Sequence, residues 1–78
     1  MNKVVDVKPH FETSPTSLWV HMADGREGIF DVAPYLRSDF FKELERKDYF
    51  AQVRLFFSGI GWPNGQDLSP DTISAEMR

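Results

Sequence analysis

The sequence predicts a small α+β protein: an antiparallel sheet of about five strands with a few short helices packed on it, in the order β-β-β-α-β-β-α. Three observations lead there. Short runs of β-branched and aromatic residues alternate with polar ones in the N-terminal third. An Asp24-Gly25 pair separates two such runs, as in a tight hairpin. Helix signals occur in two brief stretches, helical spacing after Ser38 and a helix-start order at Ser69-Pro70-Asp71.

Taken in order, Val5 and Val7 alternate with Asp6 and Lys8, which predicts a first strand with those two valines on one face. Pro9 limits how far it stays in a ladder. Residues 12–15 read as a loop. The second strand runs from Thr16 to Met22, with Leu18, Val20 and Met22 toward the core and Ser17, Trp19 and His21 on the other face. Asp24-Gly25 supplies the positive φ angles that return the chain as a third strand, Arg26 to Val32, which carries Phe30 and Val32 on one face. Pro34 ends it. Ser38 stands where a helix cap would, Asp39 suits the positive end of the dipole, and Phe40, Phe41 and Leu44 recur at helical spacing. Asp48 caps one further turn through Tyr49 and Phe50. A fourth strand covers Gln52 to Phe57, with Phe56 and Phe57 on opposite faces. Ser58-Gly59 turns the chain, and Ile60 and Trp62 form a short fifth strand that Pro63 breaks. Ser69-Pro70-Asp71 has the order of cap, first-position proline and first-turn acid, which starts a helix to about Glu76.

With 78 residues, the chain reads as one domain over 1–78 with one core. A hydrophobic fraction of 41% excludes the composition of a disordered chain. The absence of cysteine excludes a disulfide scaffold, a cysteine-based zinc site and a thiol nucleophile. The first residues form no apolar leader and no run is long enough to cross a membrane, so the expectation is a cytoplasmic protein without membrane contact. The net charge of −3 gives no overall pull toward nucleic acid. Arg37, Lys42, Arg46, Lys47 and Arg54 do cluster in one stretch, but Asp39, Glu43, Glu45 and Asp48 are interleaved with them, the pattern of a solvated face.

Chemistry-bearing constellations are sparse. His10 and His21 are the two histidines, and neither has metal-ligand spacing or a carboxylate fixed beside it. No nucleophile elbow surrounds a serine, and Gly59-x-Gly61 lacks the third glycine and following helix of a phosphate loop. The sequence therefore predicts no catalytic, metal or cofactor site. What remains is a candidate interaction surface: Trp19 and His21 on the outer sheet face, and Asn64, Gln66 and Asp67 as a rim on the turn segment. Trp19 either packs under a second layer supplied by the C-terminal helix or belongs to a binding face. Trp62 is expected in the core.

A valine-rich first strand, strand–Asp24-Gly25–strand, Phe30-Asp31-Val32-x-Pro34-x-Leu36, Phe50-x-x-Val53 and Trp62-Pro63-Asn64-Gly65-x-Asp67-Leu68-x-Pro70-Asp71 follow one another along nearly the whole chain. In this order they resemble the small bacterial domain-of-unknown-function family twenty-four forty-two. The Trp-Pro-Asn-Gly-x-Asp-Leu segment is the most specific part, and Phe56-Phe57-Ser58 departs from the more polar residues of that family. The resemblance implies a compact α+β domain, bacterial and cytoplasmic. It also implies, for short members, a neighbouring gene in an arrangement like toxin–antitoxin pairs. Some relatives carry a C-terminal helix-turn-helix, which a chain ending at Arg78 is not expected to share. No catalytic residue comes with the resemblance. Three readings follow: a protein-interaction module with a partner protein or a second copy, a nucleic-acid accessory domain using the Arg37–Arg54 stretch with Trp19 or Tyr49 for stacking, and a small enzyme converging His10 or His21 with carboxylates.

Overall fold

The computed structural model describes residues 2–78 and is α+β, with six strands in two three-stranded antiparallel sheets. The expected five strands in one sheet thus become six in two. The first sheet, ordered β1-β2-β3, holds β1 (Val4–Pro9), β2 (Ser17–Met22) and β3 (Glu27–Asp31). The second, ordered β4-β5-β6, holds β4 (Arg54–Phe56), β5 (Gly59–Gly61) and β6 (Asp67–Leu68). The extra strand exists because the Pro63-Asn64-Gly65 turn folds the chain back onto β5 instead of releasing it, pairing Ile60 with Leu68 and Gly61 with Asp67.

The first sheet follows its hydrophobic alternation. Leu18, Val20 and Met22 on β2, with Phe30 on β3, are fully buried on one face. In β1 the register breaks: Val4 stands opposite Met22 and Asp6 opposite His21, so Val5 is the extra residue of a β-bulge. The bulge shifts the alternation by one. Val4 turns into the core and Val7 is half-buried, whereas Val5 is thrown out to 39% exposure. This corrects the expected sharing of a face by Val5 and Val7.

The two hairpins β2–β3 and β5–β6 use the same loop. The Met22 carbonyl accepts from Gly25 N–H at 3.0 Å, and Met22 N–H donates to the Arg26 carbonyl at 2.8 Å. The Trp62 carbonyl likewise accepts from Gly65 N–H at 3.1 Å, and Trp62 N–H donates to the Gln66 carbonyl at 2.9 Å. In each, a three-residue loop closes with glycine in the left-handed region, at φ 95° for Gly25 and 103° for Gly65. Asp24 and Asn64 keep negative φ, so each glycine alone carries the unusual conformation.

The connection between the sheets differs most from expectation. In place of one helix after Ser38 it holds 3-10 turns at Ala33–Tyr35 and Phe41–Glu45, then a one-turn helix α1 (Lys47–Phe50). Ser38 serves through its carbonyl, which accepts from Phe41 and Lys42 N–H, not through its hydroxyl. Arg46 is extended (φ −82°, ψ 119°) and separates the two pieces. The reason is phase. An unbroken helix carrying Leu44 inward would carry Lys47 and Asp48 inward one turn later. The break at Arg46 resets the phase so that Tyr49 and Phe50 reach the core with Leu44. The last helix, α2 (Pro70–Glu76), starts as the sequence predicts, with the Ser69 hydroxyl accepting from Thr72 N–H at 3.2 Å. It turns Ile73 into the core.

One core joins both sheets: Phe30, Val32, Leu44, Phe50, Ile60, Trp62 and Ile73 belong to the same buried cluster as the β2 residues. Trp62 is its largest fully buried side chain. Its ring stacks on Phe50 with centroids 6.0 Å apart, and its indole N–H donates to the Phe50 carbonyl at 3.0 Å. No helix among the described residues is long and apolar enough to cross a membrane.

Candidate interaction surface

The second sheet carries the most exposed apolar surface. The turn between β4 and β5 falls at Phe57-Ser58, one residue earlier than expected, with φ 44° at Phe57 and 69° at Ser58. Gly59 sits in β5 instead of the turn, and glycine is required there because a Cβ would collide with the Leu68 backbone carbonyl. The tip is thus made of two residues that both need positive φ, and neither is glycine or asparagine. Such a conformation costs roughly 1–2 kcal/mol per residue for an ordinary L-residue. Phe57 is 87% exposed, and its ring meets Phe56 edge-on at 4.5 Å. Beside it lie Leu55 at 48% and Phe56 at 38% exposure. Lys3, Val4 and the bulged Val5 of β1 line the opposite wall of an open groove of about 380 Å³ with residues 55–58. A single backbone hydrogen bond, from Val4 N–H to the Ser58 carbonyl at 2.8 Å, joins the two walls at the hairpin tip.

The residues expected on the turn segment divide. Gln66 is 1% exposed and lies under the rim. Its amide oxygen accepts from the Tyr49 hydroxyl at 2.6 Å, and its amide nitrogen donates to the Phe40 carbonyl at 2.9 Å and Glu43 Oε1 at 3.1 Å. This corrects its placement among surface residues: alternation across the β5–β6 hairpin turns it inward, where its polar atoms are satisfied. Asn64 is exposed but engaged, donating through Nδ2 to both Glu43 carboxylate oxygens at 2.9 and 2.8 Å, while its backbone N–H donates to the Tyr49 hydroxyl. The two amide groups hold the Glu43 carboxyl below the ordinary glutamate range. Asn64 and Gln66 therefore tie the turn to the connection between the sheets. Asp67 is exposed on β6.

Trp19 and His21 sit together on the outer face of the first sheet, ring centroids 5.9 Å apart. Trp19 is half-buried by strand neighbours, not by α2: Lys8 Nζ lies 5.0 Å from its ring, and its indole N–H donates to Glu27 at 3.2 Å. The five expected surface residues thus occupy two sheets and form no single site. His10 bonds Thr13 at 2.9 Å beyond the end of β1, whereas His21 stands opposite Asp6. The basic stretch is likewise dispersed. Arg46 pairs with Asp48 at 3.3 Å, Lys47 caps the Phe11 ring at 4.8 Å, and Arg54 lies on β4. Among the described residues no group of three histidines and carboxylates is placed to hold a metal ion.

A larger depression of about 790 Å³ opens between Thr13, Ile29, Asp31, Pro34 and the Glu76–Arg78 segment. Two of its carboxylates are already partnered. Asp31 accepts from the Thr16 hydroxyl and Ala33 N–H, and Glu76 accepts from Tyr35 at 2.8 Å. The Val5/Leu55/Phe56/Phe57 patch is the surface that sequence reasoning missed as a unit. Its signals were the adjacent Phe56-Phe57 pair followed by a serine in place of a turn-forming Asn-Gly, and a valine pair at the start of β1 that a bulge divides.

The family model described as "Protein of unknown function (DUF2442)" matches residues 4–78, from the first residue of β1 to the end of the chain. Neither a curated protein nor a solved structure matches. The match spans both sheets, both hairpin loops and the Trp62–Asp71 segment whose Trp-Pro-Asn-Gly-x-Asp-Leu order carried the resemblance. The chain belongs to the DUF2442 family of proteins of unknown function.

Proposed function

We propose that the chain is a non-catalytic protein-interaction module whose contact surface is the apolar patch of Val5, Leu55, Phe56 and Phe57. One observation carries the reading: Phe57 projects 87% exposed from a turn in which it and Ser58 both hold left-handed backbone. An Asn-Gly pair would make the same turn without the conformational cost and without exposing an aromatic ring. Strain concentrated at an exposed aromatic is a property of ligand clamps and contact loops. Aromatic anchors at the centre of an apolar patch are also what interface hot spots are made of. A partner encoded by a neighbouring gene, as in a two-gene regulatory or toxin–antitoxin-like pair, suits this surface.

The test is site-specific photo-crosslinking in the native host, with the photoreactive phenylalanine analogue placed at 57 or, as a control, at the exposed Asp71 of α2. The expected result is a discrete crosslinked protein from position 57 and none from 71, reproduced on co-expression with the neighbouring gene product. No crosslink at 57, or the same products from both positions, overturns the reading.

A further inference from the structure

The Pro63-Asn64-Gly65 loop holds a chemically labile pair. Asparagine is a thermolabile residue, and here the backbone nitrogen that follows it belongs to glycine, with no side chain to shield it. The Gly65 nitrogen can attack Asn64 Cγ. An N–C bond forms, the Cγ–Nδ2 bond breaks, and Nδ2 leaves as ammonia with the proton that the Gly65 nitrogen gives up. Solvent water then opens the five-membered imide to an aspartate or an isoaspartate. Nothing is oxidised or reduced.

The fold restrains each reacting group. The Gly65 N–H, which carries the nucleophile, donates to the Trp62 carbonyl at 3.1 Å. Asn64 Nδ2, the leaving group, donates to both Glu43 carboxylate oxygens at 2.9 and 2.8 Å. The Asn64 N–H donates to the Tyr49 hydroxyl at 2.8 Å and fixes the backbone between them. The other hairpin supplies an internal comparison, because its Ala23-Asp24-Gly25 loop closes in the same way. There a carboxylate already stands at the middle position, and it meets donors: Arg26 N–H at 3.0 Å, Arg26 Nε at 3.2 Å and Asn2 Nδ2 at 3.1 Å. The residue equivalent to Arg26 is Gln66, which is uncharged and turned inward. A carboxylate at position 64 would instead meet Glu43. Arg46, the cation that acts on Glu43, already pairs with Asp48 at 3.3 Å, and the Tyr49 hydroxyl donates to Gln66.

We infer that Asn64 is a self-modification site: it deamidates through Gly65 when the loop opens, Glu43 sets the rate by holding its amide, and the carboxylate produced does not reseat on Glu43. The change is one-way. Two carboxylates about 3 Å apart cannot both stay ionised at neutral pH. The modified loop therefore stays detached from the connection between the sheets, and Gln66 loses a fixed Glu43 as its partner. Each molecule thus keeps a covalent record of the openings of its second sheet.

Peptide mapping by mass spectrometry after incubation at mildly alkaline pH tests the rate, with Asn2, the other asparagine, as internal reference. Products at position 64 should accumulate slowly in folded wild type and fast in urea. Glu43→Ala should speed the folded protein about tenfold, the factor for losing one charge-assisted hydrogen bond, and leave the rate in urea unchanged. Should that variant not fold, Glu43→Gln serves in its place, since one carboxamide oxygen then replaces two carboxylate oxygens. Asn64→Asp tests the consequence. It should melt below wild type at neutral pH and close the gap on acidification, as one of the two carboxyls takes a proton. Adding Glu43→Gln, whose amide donates to the new carboxylate, should rescue it. If Asn64→Asp does not fold at neutral pH, its recovery in acid or in the double variant carries the same test. Equal rates at 64 in folded and unfolded protein, a folded Glu43 variant that deamidates at the wild-type rate, or an Asn64→Asp protein as stable as wild type at neutral pH overturns the inference.

Discussion

Replacing Phe57-Ser58 by Asn-Gly should make the protein more stable and less able to bind. Phe57 and Ser58 hold φ of 44° and 69°, each costing roughly 1–2 kcal/mol relative to a residue at ease in the left-handed region. Asparagine and glycine relieve most of that cost. Against the gain stand the edge-to-face contact between Phe56 and Phe57, worth about 0.5–1.5 kcal/mol, and the extra freedom of glycine in the unfolded chain, about 0.5–1 kcal/mol. Little burial is lost, because the Phe57 side chain is mostly in water. The net is a gain of about 1 kcal/mol, which in a domain this small raises the melting temperature by about 4–8 °C. Thermal denaturation followed by circular dichroism at low micromolar concentration, where association contributes little, measures it. A double variant that melts at or below the wild-type temperature would show that the turn stores no strain, and the argument linking strain to binding would fail.

Trp62→Ala should cost about 3–5 kcal/mol, through the cavity left against Phe50 and the lost indole hydrogen bond to the Phe50 carbonyl, and chemical denaturation of a variant matching wild type would refute its role as core anchor. Tyr49→Phe removes the hydroxyl that donates to Gln66 and accepts from Asn64 N–H, so urea titration should show a loss of about 1–3 kcal/mol with both hairpins still formed by NMR. Glu43 has its folded pKa depressed by the Asn64 and Gln66 amides, so its contribution is present above its ordinary value of 4.5 and lost as pH falls through the lower folded value. Melting temperatures of wild type should therefore fall more steeply with acidification below about pH 4.5 than those of Glu43→Gln, and parallel curves would contradict this assignment.

Local patterns were the readable part of this sequence. The Leu18/Val20/Met22 alternation, the Gly25 hairpin, the Ser69 cap and the burial of Trp62 all rest on spacing or on single-residue chemistry, and all appear as expected. Features set by competition between distant segments were not legible. The bulge at Val5 depends on which valine the core can accept against Met22. The helix break at Arg46 depends on Leu44, Tyr49 and Phe50 all needing the same interior. Gln66 looked like a rim residue because glutamine usually is one. Only the arrival of Tyr49, Phe40 and Glu43 around it makes burial tolerable. The exposed apolar patch was hidden for a related reason: a strand ending in Phe56-Phe57 reads as two residues on opposite faces until the turn is seen to begin at the second.

The two tryptophans fall one to each sheet, Trp62 sealed against Phe50 and Trp19 half-open among Lys8, His21 and Glu27. Their emission should differ in colour and in accessibility to a soluble quencher. A Trp19→Phe protein is thereby an optical readout of the second sheet alone, and Trp62→Phe of the first. Whether the two sheets come apart together or in sequence, and whether anything that seats on the β4 hairpin reaches across to the other sheet, can be watched as light from one ring at a time.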